Sequence, residues 1–275
     1  MKFPVDTFLS HIDTINEQNY CFGNELLYKY CGFDCLPSPG TSPIDTKLSS
    51  AIWLIGKSYS ADPTRSARSG DISNEGLGSS FDRIAKNMYN SGDYAGFYAD
   101  LLALCGKTYC YCYEDDKEIL LKTVDLVHRL NEMVRSAMGA NSNNVVSFCS
   151  KFLHFMCPDL FFITDAYSYT GGMALYTGTA DRKLYSSDDD PQSYLCIDKS
   201  ARSYFKKQYP LSSPEAVYPD AIRFYYGHCL RAYSVARFLH ENSKKCVPQI
   251  KTDPDSCYMP RLVDSVLMRI KNQIA

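Results

Sequence analysis

Apolar residues recur three and four positions apart along most of this chain, and that spacing leaves few folds open to it. Side chains at such intervals fall on one side of an α-helix, whereas a half-buried strand needs strict alternation. The pattern predicts helices over 25–30, 47–55, 80–89, 94–104 and 117–138, and again over 147–156, 200–208, 219–240 and 260–274. Several open on Ser, Asp or Pro, residues suited to a first turn. Strand signals are thin: Thr108 to Tyr113 could pair briefly, and Phe161 to Thr164 is extended at most. Clusters of Gly, Pro, Ser and Asn predict loops at 36–45, 61–79, 139–144, 171–191 and 244–255. The expected fold is therefore mainly α. We expect a compact multi-helix body forming a single domain over 1–275, with possible lobes 1–115 and 116–275.

The chain has 275 residues, 45% apolar and 22% charged, enough for a sizeable core and unlike a chain disordered throughout. Its apolar runs, such as those at 52–55 and 161–163, are too short to span a bilayer, and Met1 to Asp6 does not begin a secretory signal. The expected setting is the cytoplasm, with no membrane partner. Twelve cysteines are scattered through apolar segments and read mostly as buried thiols. Neither Cys31 with Cys35 nor Cys110 with Cys112 has the CxxC spacing of a zinc site, so no metal or cofactor is expected, and no obligate protein partner is inferred. The net charge of −2 hides an uneven distribution. Between Lys199 and Lys251 ten basic residues face three acidic ones, while acid gathers at Asp188, Asp189 and Asp190. Such a run is either a solvated face or a surface that admits phosphate. The 22 tyrosines offer either a tyrosine-rich core or flat faces for stacking on bases.

Ala51 to Ser58 ends in Gly-Lys-Ser like a phosphate-binding loop, but it lacks the first glycine and its intervening residues are apolar and helix-like. The most informative stretch runs from Met138 to Asp165. It reads as the end of a helix, a polar turn, a second helix, a short extended piece and then an acid. Between Ser147 and Met156 a helical wheel gathers Ser147, Lys151 and His154 on one narrow face, with Phe148, Cys149, Phe152, Leu153, Phe155 and Met156 around the rest. That helix must be buried on most sides, and its polar stripe faces either water or a cleft. Pro158 ends it. Asp165 then stands at the start of a further helix, either as an N-cap or as a carboxylate whose orientation and pKa are set by its surroundings.

This layout resembles the helix-hairpin-helix DNA glycosylase superfamily, in which a hairpin, a helix and a short extended piece lead to the catalytic aspartate. The likeness covers roughly residues 117–175 and sets Asp165 at the catalytic position, with Phe162, Ile163 and Thr164 as its apolar entry. Residues 51–65 together with 147–155 also look like small bacterial glycosylase-like proteins associated with defence against phage, one of which removes a glucosylated cytosine. The family's Gly-x-Gly hairpin turn is replaced here by Asn141 to Asn144. Where bifunctional members carry a Schiff-base lysine this chain has Val146 or Ser147, with Lys151 one turn further along.

What the resemblance implies is an enzyme that flips a modified base and hydrolyses its bond to deoxyribose. A carboxylate would stabilise the positive charge developing on the sugar or activate water. Asp165 and Lys151 are the candidate catalytic residues, and His154 the candidate that assists at the pocket. A flipped base needs aromatic walls and a phosphate backbone needs cations and amides. Trp53, Tyr59, Tyr167 and Tyr226 are candidate walls, and Lys57, Arg65, Asn143, Asn144, Arg223 and Arg231 candidate DNA contacts. Trp53, within Ile52 to Ile55, also reads as core, and the arginines as surface pairs. Arg223, Arg231 and Arg237 nevertheless share about a third of one helical circumference, which suits a phosphate-facing side. The rival expectation is a non-catalytic nucleic-acid- or protein-binding helical module.

Overall fold

A computed structural model describes residues 21–41, 46–59, 61–66, 77–139, 144–177, 220–241 and 258–274. Among these the chain forms nine α-helices and no strand. They are α1 (Cys21–Tyr30), α2 (Thr46–Ser58), α3 (Leu77–Tyr89), α4 (Tyr94–Leu104), α5 (Tyr113–Met138), α6 (Val146–Met156), α7 (Ala166–Thr177), α8 (Asp220–Glu241) and α9 (Met259–Ile274). Short 3-10 turns occupy Phe33–Cys35 and Pro63–Ser66. The helix expected over 200–208 and the acidic run at 188–190 lie outside the described residues. No described helix is long and apolar enough to cross a membrane.

The chain divides into two compact units, neither continuous in sequence. One, the hairpin unit, takes Phe22–Lys107 and Lys122–Phe161; the other, the Asp165 unit, takes Met1–Cys21, Thr108–Leu121 and Phe162–Ala275. In the hairpin unit α2 packs on α3 and α6. Ile52, Ile55, Phe81, Ile84, Met88, Phe97, Leu101 and Phe152 are buried there. Helix α4 stops at Gly106 and α5 at Gly139, whose positive φ values of 80° and 101° are open to glycine without Cβ strain. Glu114, Asp115 and Asp116 begin α5 and Arg135 lies in its last turn, so charges at both ends complement the helix dipole.

In the Asp165 unit α7 packs along α9, and α8 packs on both. The loop expected over 171–191 begins instead as helix, since α7 continues through Gly171 and Gly172 to Thr177, and its remainder lies outside the described residues. The cause is a contact distant in sequence: a Cβ on Gly171 would stand 1.8 Å from the Leu267 carbonyl oxygen of α9. Only a residue without a side chain admits that approach. Thr108 to Tyr113 is not a strand either. Tyr111 turns left-handed at φ 63°, and the buried Asp116 carboxylate pins the bend. It accepts the Cys110 N–H at 3.1 Å, the Tyr111 N–H at 2.7 Å and the Tyr233 hydroxyl at 2.7 Å.

Candidate functional site

In the Asp165 unit the apolar run Phe162 to Thr164 is buried and lies outside any helix. Its carbonyls are held from α8. The Tyr225 hydroxyl donates to the Phe162 oxygen at 3.1 Å, and His228 Nε2 meets the Ile163 oxygen at 2.8 Å. Residues three apart share one helical face, so α8 can grip two consecutive carbonyls. A carbonyl only accepts, so Nε2 of His228 carries a proton. Burial lowers the His228 pKa to about 4, against the opposing pull of the Ile163 carbonyl and the Asp165 charge.

Asp165 follows that run and caps α7. Its Oδ1 accepts the Tyr167 N–H at 2.8 Å, the Ser168 N–H at 2.9 Å and the Ser168 hydroxyl at 3.3 Å. Ser168 Oγ in turn accepts the Asp165 N–H at 3.1 Å, a reciprocal capping box with serine in the third position. Backbone donors and the positive end of the helix dipole both favour the ionised carboxylate. Tyr167, one turn position on, is half exposed, and Tyr169 meets the exposed Phe224 edge-to-face at 6.2 Å. Arg231, expected on a phosphate-facing side, is instead 1% exposed, its guanidinium 5.4 Å from the centre of the Tyr169 ring. Arg237 is exposed, so these two arginines do not present one common face. Tyr226 is buried, and the Arg223 side chain lies outside the described residues.

In the hairpin unit the polar stripe of α6 turns inward. Lys151 and His154 are fully buried and Ser147 half-buried. Lys151 Nζ donates to Ser147 Oγ at 2.9 Å and sits 5.5 Å from the centre of the Tyr59 ring. His154 has both ring nitrogens engaged. Nδ1 lies 3.0 Å from the Phe161 oxygen and must therefore carry a proton, and in the neutral ring Nε2 then accepts from the Tyr28 hydroxyl, 2.6 Å away. His154 is wholly buried and ties α1 to α6 through Tyr28. Tyr28 and Tyr59 both lie against Phe155, with ring centres 4.8 and 5.7 Å away.

The other candidates of this unit have separate commitments. Trp53 is 48% exposed, so the apolar run around it does not bury it. Lys57 pairs with the buried Asp62 at 2.5 Å, and Asp62 also accepts the Thr64 N–H and hydroxyl, which ties α2 to the turn that follows. The Arg65 side chain and Asn143 lie outside the described residues. Asn144 is exposed, and its side-chain oxygen accepts the Asn131 amide at 3.2 Å. Asn131, wholly buried on α5, also accepts the Val145 N–H at 2.9 Å where α6 begins. That amide fastens the second helix of the hairpin to the first.

The structure thus groups Lys151, His154 and Tyr59 in one unit with Ser147 and Tyr28, and Asp165 and Tyr167 in the other with His228 and Ser168. Sequence reasoning missed Tyr28, Asn131, Ser168 and His228. Only Ser168 carried a local signal, the Asp-x-x-Ser spacing of a capping box. Among the described residues no group of three or more His, Cys, Asp or Glu is disposed to hold a metal ion. The chain matches no protein-family model, no curated protein and no solved structure.

Proposed function

We propose that this chain is a DNA glycosylase-like enzyme that takes a modified base out of the stack and hydrolyses its bond to deoxyribose, with Asp165 as the catalytic carboxylate. The supporting observation is the state of that side chain: an acid fixed by three donors to one oxygen at a helix N-terminus, beside a half-exposed tyrosine. As the base–sugar bond lengthens, positive charge grows on the sugar, and a carboxylate already oriented and ionised stabilises it without reorganising. Water then adds to the sugar carbon, and the proton it gives up passes to the departing nucleobase. Tyr167 offers a face on which an extruded base can stack. A modified cytosine, as in phage DNA, is the target that the family resemblance suggests.

The test is direct. Duplex and single-stranded DNA carrying glucosylated hydroxymethylcytosine is incubated with the protein, and abasic sites are detected as strand breaks after alkali. The parent protein should generate them, and Asp165→Asn should lower the rate by at least about 100-fold, the scale seen when one electrostatic stabiliser of a transition state is removed. Asparagine caps helices about as well as aspartate, so that variant keeps its fold and isolates the charge. Activity that survives Asp165→Asn would sink the assignment. A binding module without chemistry is the second reading. It is favoured by the enclosure of Lys151 and His154 and by the capping role of Asp165, and it predicts DNA retention with no abasic site in either protein.

A further inference from the structure

Two sulfurs in the hairpin unit approach more closely than thiols in ordinary contact. Cys105 Sγ and Cys157 Sγ are 2.8 Å apart. A covalent disulfide measures about 2.05 Å. The positions are not set by loose chain. Cys105 caps the end of α4, its N–H bonded to Leu101 and Leu102 oxygens at 3.0 and 3.2 Å, and Cys157 caps the end of α6, its N–H bonded to the Leu153 oxygen at 2.9 Å. Each thiol therefore hangs from a hydrogen-bonded helix terminus, with the two sulfurs within about 0.8 Å of bonding distance. Their exposures differ: Cys105 is half-buried, whereas Cys157 is 5% exposed.

We propose that Cys105 and Cys157 form a thiol–disulfide exchange site that reacts with small disulfides of the glutathione type and closes to an intramolecular disulfide. Cys105 is the entry thiol because reagent can reach it. The hydrogen bond from Cys157 holds the Cys105 thiol below its usual range although burial opposes this. The same bond, with burial, pushes Cys157 up. Cys105 thiolate attacks one sulfur of the small disulfide and expels a thiolate. Cys157 then attacks Cys105 Sγ in the mixed disulfide, its proton passing to the expelled thiolate, and releases the second small thiol. Two protein thiols and one small disulfide become one protein disulfide and two small thiols. The bond joins the ends of α4 and α6, 52 positions apart, and encloses α5 and the hairpin. It does not depend on the glycosylase assignment.

The full-length protein is incubated with glutathione disulfide, alkylated under denaturing conditions and mapped by peptide mass spectrometry. Titratable thiols should fall from twelve to ten without glutathione remaining attached, and one cross-linked peptide should join Cys105 to Cys157. The oxidised protein should melt at a higher temperature, and dithiothreitol should reverse both changes. Cys105→Ser should keep its remaining eleven thiols. Absence of the linked peptide from the native protein overturns the proposal. So does its equal formation when oxidation is run in guanidinium, or thiol loss confined to the exposed Cys110 and Cys112, or loss of a thiol pair in Cys105→Ser. Because the peptide map is read on the parent protein, the result stands even if the variant folds poorly.

Discussion

Gly171→Ala isolates the contact that shapes the Asp165 unit. A Cβ there would lie 1.8 Å from the Leu267 oxygen, 2.6 Å from its carbonyl carbon and 3.1 Å from its Cα, all backbone atoms that no rotamer change can move. To restore ordinary contact at 3.4 Å the helices α7 and α9 must part by about 1.6 Å, the difference between the two distances. Val263, Val266 and Leu267, each at most 1% exposed, would lose part of their cover. Burial of each such side chain contributes about 1.5–3 kcal/mol, so uncovering a third of three of them costs about 2 kcal/mol. Overpacking adds about 1–3 kcal/mol, and the better helix propensity of alanine returns about 1 kcal/mol. The net expected loss is about 2–4 kcal/mol, a drop of roughly 5–10 °C in the melting midpoint for a chain of this size. Gly172→Ala is the control. Its new Cβ would meet only side-chain atoms, Arg231 Nε at 3.3 Å and Leu267 Cδ1 at 3.9 Å, which can shift. Thermal unfolding followed by far-ultraviolet circular dichroism compares the two variants with the parent. A Gly171→Ala midpoint at or above the parent, or an equal fall in Gly172→Ala, refutes the close approach of the two helices.

Asn131→Ala removes the side-chain acceptor of the buried Val145 N–H and should cost about 2 kcal/mol or more, the price of an unmet buried donor; unchanged hydrogen exchange at Val145 would contradict it. His228, its pKa lowered to about 4 from 6.5, refuses a proton that the unfolded chain accepts. Its contribution is therefore intact above about pH 6.5 and stability falls as pH drops from there toward about 4, by about 3 kcal/mol in total. His228→Gln, which still offers an N–H to Ile163, should flatten that part of the stability-versus-pH curve, and an unaltered slope argues against the buried neutral ring. At the α7 cap, Asp165→Ala should lose about 1 kcal/mol while Asp165→Asn stays near the parent; chemical denaturation of both variants separates the two outcomes.

Periodicity alone located most of the helices because it reports a local property. The span 94–104 appears unchanged as α4, and the spans beginning at 47, 80, 219 and 260 start within three residues of α2, α3, α8 and α9. The departures have non-local causes. Helix α5 begins at Tyr113 and not at 117, since its acidic first turn carries no apolar period yet caps the helix dipole and pins Tyr111. Gly171 and Gly172 look like a loop until Leu267, almost a hundred positions later, supplies the reason for them. Trp53 and Arg231 exchange their expected places, one exposed and the other buried, because a helix within a run of apolar or basic residues does not reveal which side meets its neighbours. The wheel over 147–156 found the set Ser147, Lys151 and His154 correctly as a stripe. What the stripe faces, Tyr28 from α1 and Tyr59 after α2, is decided by packing between segments far apart in sequence.

Capping and the catalysis proposed for Asp165 make different physical demands, and one side chain can meet both. A cap needs an oxygen that accepts backbone N–H groups, and here Oδ1 accepts both of them, from Tyr167 and Ser168. An amide oxygen would serve equally. Stabilising a sugar cation needs a full negative charge held at a fixed angle, which an amide cannot supply. The cap gives the charged form both things that catalysis requires of it: donors that favour ionisation and an orientation locked by the Ser168 hydroxyl and the Asp165 N–H. His228 and Tyr225 extend the same restraint backward, fixing the carbonyls on which the acid is mounted. Removing the charge while keeping the cap must therefore leave stability in place and abolish base release if the carboxylate is chemical, and must leave both unchanged if it is structural alone.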